Sequence, residues 1–86
     1  MYALFLVLQL ENQGAALQSL HRDVIPQMRR APGFSTGTWF GDQRTGHAVV
    51  VFDTEEQARN AAPPVGTAMP GGAVSSSAVY PITGQA

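Results

Sequence analysis

Two histidines, one tryptophan and two tyrosines are the side chains of this 86-residue sequence best equipped to act on a small molecule. Imidazole ordinarily titrates near neutral pH, which qualifies His47 and His21 as the candidate general bases. Trp39 and Tyr80 offer flat ring faces, Tyr2 adds a second phenol, and Gly37 leaves space two residues before the indole. Trp39, His47, Gly37 and Tyr80 therefore form the candidate ligand-binding set. Each also has an ordinary structural use. A strand tryptophan commonly packs into a core or a subunit contact, and strand tyrosines pack their rings and wet their hydroxyls. A histidine at a hairpin end commonly faces water, and one beside a helical apolar stripe commonly borders the core.

Other chemistries lack their parts. The chain has no cysteine, so thiolate catalysis, thiolate metal sites and disulfides are excluded. Two histidines far apart in sequence do not make a metal centre, and neither a metal nor an organic cofactor is expected. The serines at 75–77 have no elbow glycines around them and no paired base. Residues 70–72, Pro-Gly-Gly, lack the spacing and the following helix of a phosphate loop.

Composition bounds what can position these groups. A chain of 86 residues is one small domain, 1–86. Charged residues make up 13%, about half the roughly 25% of ordinary soluble domains, while apolar residues reach 44%. A small domain buries only about 60% of its unfolded surface by itself, so a surface this short of charge predicts cover by a second copy: a homodimer. The formal net charge is −1, and the basic residues Arg22, Arg29, Arg30, Arg44 and Arg59 form no phosphate-tracking stripe, which argues against nucleic acid. The opening MYALFLVLQL is too short for a membrane span and carries no basic residue, so neither a signal peptide nor a membrane partner is expected. The expectation is a cytoplasmic protein.

Residues 2–10 form a continuous apolar run that reads as a strand buried on both faces. Leu17, Leu20, Val24 and Met28 then recur at helical spacing up to Ala31-Pro32-Gly33, predicting an amphipathic helix. Pro26 lies inside it and lacks the amide that would bond the Arg22 carbonyl, predicting a kink or loosened turn there. Residues 34–40 and 47–53 read as an antiparallel hairpin closed by GDQRTG. Thr54, three residues before Gln57, has capping-box spacing, and Glu55 and Glu56 suit a first helical turn, so a short helix follows until Pro63-Pro64. After a Gly/Pro-rich loop, residues 73–82 resume an extended pattern. The order βαββαβ predicts an α+β, ferredoxin-like fold: a four-stranded antiparallel sheet with two helices on one face and the other face bare.

If the hairpin pairs symmetrically about Gln43, Trp39 lies opposite His47, Gly37 opposite Val49 and Ser35 opposite Val51. That side is expected to be the bare one and to leave a cavity. Phe34, Phe40, Val50 and Phe52 are expected on the other side, beneath the helices.

The stretch RRAPGFSTGTWFGDQRTGHAVVVFDTEEQARNAA, with its Pro32-Gly33-Phe34 turn, its AVVVF strand and its Asp53-Thr54-Glu55-Glu56 lead into the second helix, resembles the dimeric α/β-barrel superfamily. It is close to the antibiotic-biosynthesis-monooxygenase-like domains found in many bacteria, and the likeness spans residues 2–82. The resemblance implies a homodimer whose two sheets face each other as a barrel around small, often aromatic molecules. Some members oxidise phenolic or quinol-type substrates with oxygen and no cofactor, while others degrade haem or act as polyketide cyclases. Monooxygenase members often carry Trp where this chain has Phe52, and His where it has Ala61. The Asn, Trp and His constellation of the haem-degrading members has no counterpart either, since Asn12 and Asn60 fall outside the strands. No catalytic residue is carried over. The leading expectation is a small homodimer that binds a small apolar or aromatic molecule near the bare sheet face. The alternative is a cofactor-independent monooxygenase or polyketide-cyclase-like enzyme acting on a phenol or quinol.

Overall fold

The apolar run at the start of the chain forms β1 (Tyr2–Leu10), the central strand of the sheet. A computed structural model describes residues 1–86. After β1 comes one long helical stretch made of α1 (Gln13–Ser19), a π-helical segment (Leu20–Val24) and α2 (Ile25–Arg29). The hairpin β2 (Phe34–Gly41) and β3 (Thr45–Phe52) follows, then α3 (Glu55–Ala61), the two-residue β4 (Ala68–Met69) and β5 (Gly72–Pro81). The strands form one sheet in the order β2-β3-β1-β5-β4, and every pair is antiparallel. The fold is α+β, with five strands where four were expected. The extra strand arises in the Gly/Pro-rich loop, where Ala68 and Met69 fold back onto Ala73 and Gly72.

Local chemistry explains the breaks. Asn12 caps α1, its Oδ1 accepting the Ala15 amide at 3.0 Å. Pro26 offers no amide to the Arg22 carbonyl, and the turn ahead of it widens: the Ile25 amide donates to the Leu20 carbonyl five residues back. The expected loosened turn is thus a π turn, and the helix continues through it. After Arg30 the chain reverses through Ala31-Pro32-Gly33-Phe34, with the Phe34 amide on the Ala31 carbonyl at 3.2 Å and Gly33 at φ 79°. A side chain at Gly33 would strike the Gln57 carboxamide. Gln57 sits there because it completes the capping box of α3: Thr54 Oγ1 accepts the Gln57 amide, and Gln57 Oε1 accepts the Thr54 amide, both at 3.2 Å. The turn and the second helix's start, far apart in sequence, are therefore one packed unit.

The core lies between the helices and one face of the sheet. Leu4, Val50, Phe52, Ala48 and Ala58 have no exposed surface, and Leu6 is nearly so. Met28, Ala31, Phe34 and Ala61 pack around them, with Phe34 edge-on to Phe52. Each fully buried large side chain contributes about 1.5–3 kcal/mol. β1 is covered on that side alone. Ala3, Phe5 and Val7, which point the other way, are only half-buried, so the expectation of a strand buried on both faces fails within a single chain.

The hairpin register differs by one residue from the symmetric pairing. Trp39 pairs with Ala48, Gly37 with Val50, Thr38 with Val49 and Phe40 with His47. Phe34 still pairs with Phe52, because the register shifts between Phe34 and Thr36. Ser35 is the extra residue of a β-bulge there, and a one-residue slip exchanges the faces of everything beyond it. Trp39 and Gly37 consequently turn toward the helices, while Phe40 turns to the bare face. The expected placements of Trp39 opposite His47 and of Phe40 beneath the helices are both corrected by this bulge.

Candidate functional site

The same leucines that begin the core open into a cavity. Towards the C-terminal end of β1 the helical stretch stands away from the sheet, and a space of about 880 Å³ remains between them. Leu6, Leu8 and Leu10 of β1 line its sheet side. Leu17, Leu20, Val24 and Met28, the apolar stripe of the amphipathic helix, line its helix side. None of the four is fully buried, and Leu17 is 46% exposed, whereas the small residues Ala16 and Ser19 of α1 are buried. The π turn carries Leu20 and Val24 at the cavity wall. A volume of this size lies within the roughly 300–1,000 Å³ of small-molecule sites, and an apolar lining with a few polar groups is their usual composition. The cavity therefore lies on the helix side of the sheet and not, as expected, near the bare face.

Trp39 reaches this cavity because the bulge turns it inward. Its indole lies over Gly37, where a Cβ would come within 2.7 Å of Cη2, and it also packs against the core. Gly37 thus makes the room that the ring occupies. These two of the four expected ligand-binding residues are together.

Tyr80 is elsewhere, and His47 is shared between the cavity and the bare face. Tyr80 sits on the bare face opposite Ala3, and it is 57% exposed. His47 pairs with Val7 and Phe40 in the register, which places it on that face, and it also lines the cavity beside Gly46. Its ring stacks on Phe40 at 5.2 Å with planes 10° apart, and on Phe5 at 6.2 Å. His47 Nδ1 is buried and has no hydrogen-bond partner. His21 is exposed on the π segment and does not line the cavity. The two candidate bases do not converge, and neither of them is aimed with Trp39 at a shared reacting atom.

Polar groups unnoticed in the sequence complete the cavity. Gln27 and Arg30, one turn apart on and just after α2, line it together with Asn60 of α3. Asp42 lies at the far end in the β2–β3 turn, where its Oδ1 accepts the amides of Arg44 at 2.8 Å and Thr45 at 2.9 Å. Those two bonds, chiefly the one from Arg44, hold its carboxyl below the usual range. Nowhere do three His, Asp or Glu side chains converge as a metal site would need. No helix is long and apolar enough to cross a membrane. What the fold and the cavity define is a small α+β protein with an apolar chamber between its helices and its sheet. No family model matches the chain, and neither a curated protein nor a solved structure does.

Proposed function

We propose that this chain is a homodimeric, ferredoxin-like protein of the dimeric α/β-barrel type that binds a small apolar or aromatic molecule in the chamber beneath its long helix. The observation that carries the reading is the 880 Å³ apolar space walled by Trp39. The order β2-β3-β1-β5 with two helices over one face supports the ferredoxin-like assignment, β4 being a two-residue addition at the edge. The uncovered face supports the dimer. Phe5, Val7, Val49, His47 and Phe40 form a contiguous apolar and aromatic surface there, with Tyr80 across β1, and a second copy removes it from water. Ligand binding is tested by native mass spectrometry of the protein purified from its host, together with titration of its single tryptophan's fluorescence by naphthalene-type ligands. A dimer and a saturable Trp39 response support the reading, whereas a monomer at micromolar concentration sinks the dimer and an inert Trp39 sinks the chamber as binding site.

One observation favours a second reading, a cofactor-independent oxygenase or cyclase-like enzyme: the buried, unpartnered His47 Nδ1 beside an aromatic surface. In that reading His47 deprotonates a phenol or quinol, and the electron-rich anion itself reduces oxygen. Oxygen uptake with a hydroquinone and anthrone panel tests it, with His47→Ala abolishing uptake and His21→Ala leaving it intact.

A further inference from the structure

The charge at the chamber's rim narrows the ligand's chemistry. The structure contains two ion pairs, Arg22 with Asp23 and Arg59 with Glu55, and neither involves Arg30. No side-chain hydrogen bond of the chain uses Arg30, Gln27 or Asn60, although all three line the chamber. The chamber's remaining polar side chains are differently placed. Gln13 is tied to the Asp42 carbonyl, Thr67 to the Pro64 carbonyl, and Asp42 to its own turn. His47 is stacked between Phe5 and Phe40. The free donors thus come from the helices, and the side facing them is leucine. Arg30 is the cation among these lining groups, with no carboxylate within ion-pair distance.

We infer that the chamber takes an amphipathic monoanion: an apolar body among Leu6, Leu8, Leu20 and Val24, with a carboxylate met by Arg30 and by the carboxamides of Gln27 and Asn60. The guanidinium fork suits a carboxylate, since two parallel N–H donors can meet its two oxygens. Arg30 also closes α2, so its charge sits at the end of a helix whose last carbonyls already favour a cation there. The lining favours an aliphatic or mixed body over a purely planar one, because the leucines outnumber the single indole. Arg30 is exposed, so water screens part of its attraction and the gain over a neutral head group is modest, about fivefold in affinity at most.

The inference rests on the chamber being a binding site, and decanoate against 1-decanol separates the two. Both probes share a ten-carbon chain, and binding is followed by Trp39 fluorescence and by native mass spectrometry. The expected result is decanoate bound up to about fivefold more tightly than decanol, with R30Q abolishing that difference. A decanoate advantage that also shrinks with added salt marks an ionic contact. Equal binding of both probes overturns the anionic assignment and leaves the chamber reading standing. A decanoate preference that survives R30Q overturns the role of Arg30. Failure of both probes to bind overturns the chamber reading and this inference with it.

Discussion

The two faces of one sheet behave as different materials. On the helix side Leu4, Val50 and Phe52 are wholly removed from water by the chain's own helices. On the other side Phe5, Val7 and Val49 are half-exposed, and Phe40 and Tyr80 show 52% and 57% of their surface. The strands supply similar side chains to both, so the contrast comes from what covers them. A helical layer covers one face, whereas the chain leaves most of the other open, Val51 being buried there. The helix layer is itself uneven: close over Phe52, where Ala58 and Ala61 of α3 permit near approach, and lifted over Leu8, where the chamber opens.

The largest test of this contrast removes one phenylalanine from each face. Phe52→Ala is expected to cost about 3–5 kcal/mol in urea unfolding, a large share of the roughly 5–15 kcal/mol that a small domain has. Phe40→Ala should change the chain's own stability by about 0.5 kcal/mol or less, with any further loss appearing only at concentrations where dimers form. Equal losses at every concentration would show that the faces do not differ in this way. Next in size is Val49→Lys, which places an ammonium in the middle of the open face. Where the wild type forms the proposed dimer, light scattering should then report a monomer with unchanged circular dichroism, and a persistent dimer would move the subunit contact to another surface.

Gly37→Ala sharpens the helix side. Its Cβ would press on the indole at 2.7 Å, so a loss of about 1–3 kcal/mol and a red-shifted Trp39 emission are expected. An unchanged spectrum would mean that the ring does not depend on that space. The smallest effect belongs to Asp42, in the exposed turn where the faces meet. Its carboxyl titrates lower when folded than the roughly 3.9 of a free aspartate, because the Arg44 and Thr45 amides bond its charged form. Its contribution to stability is therefore complete above about pH 4 and is lost as pH falls through the lower folded value. Asp42→Asn should flatten that part of the acid-stability curve, and an unaltered curve would assign acid sensitivity to other carboxylates.

Much of the fold is legible in the sequence wherever one local rule acts alone. The apolar run at 2–10, the Thr54–Gln57 capping box and the Pro32-Gly33 reversal each state their structure through near neighbours. The loosened turn ahead of Pro26 is legible too, since a missing amide must be accommodated within a few residues. The candidate site is far less so. Gly37 beside Trp39 signals room for a ring, and that pairing is found. His47 and Tyr80 look equally suitable by type, yet Tyr80 lies on the opposite face and His47 stacks between Phe5 and Phe40 at the chamber's edge, because type and spacing do not determine register. Arg30, Gln27 and Asn60 carry no sequence signal at all: their lack of partners becomes visible only when every other side chain has been placed.

By itself, the sequence determined an α+β chain whose apolar strands alternate with capped amphipathic helices, because periodicity, caps and turns act over a few residues. Tertiary structure decided which face each strand residue serves. A single bulged residue, Ser35, exchanges the destinations of Trp39 and Phe40, and the sequence on either side of it is compatible with both registers. It also decided that the stripe Leu17, Leu20, Val24 and Met28 walls a chamber instead of filling a core. That outcome depends on how far the helix stands from the sheet, a distance set by the packing of both layers together.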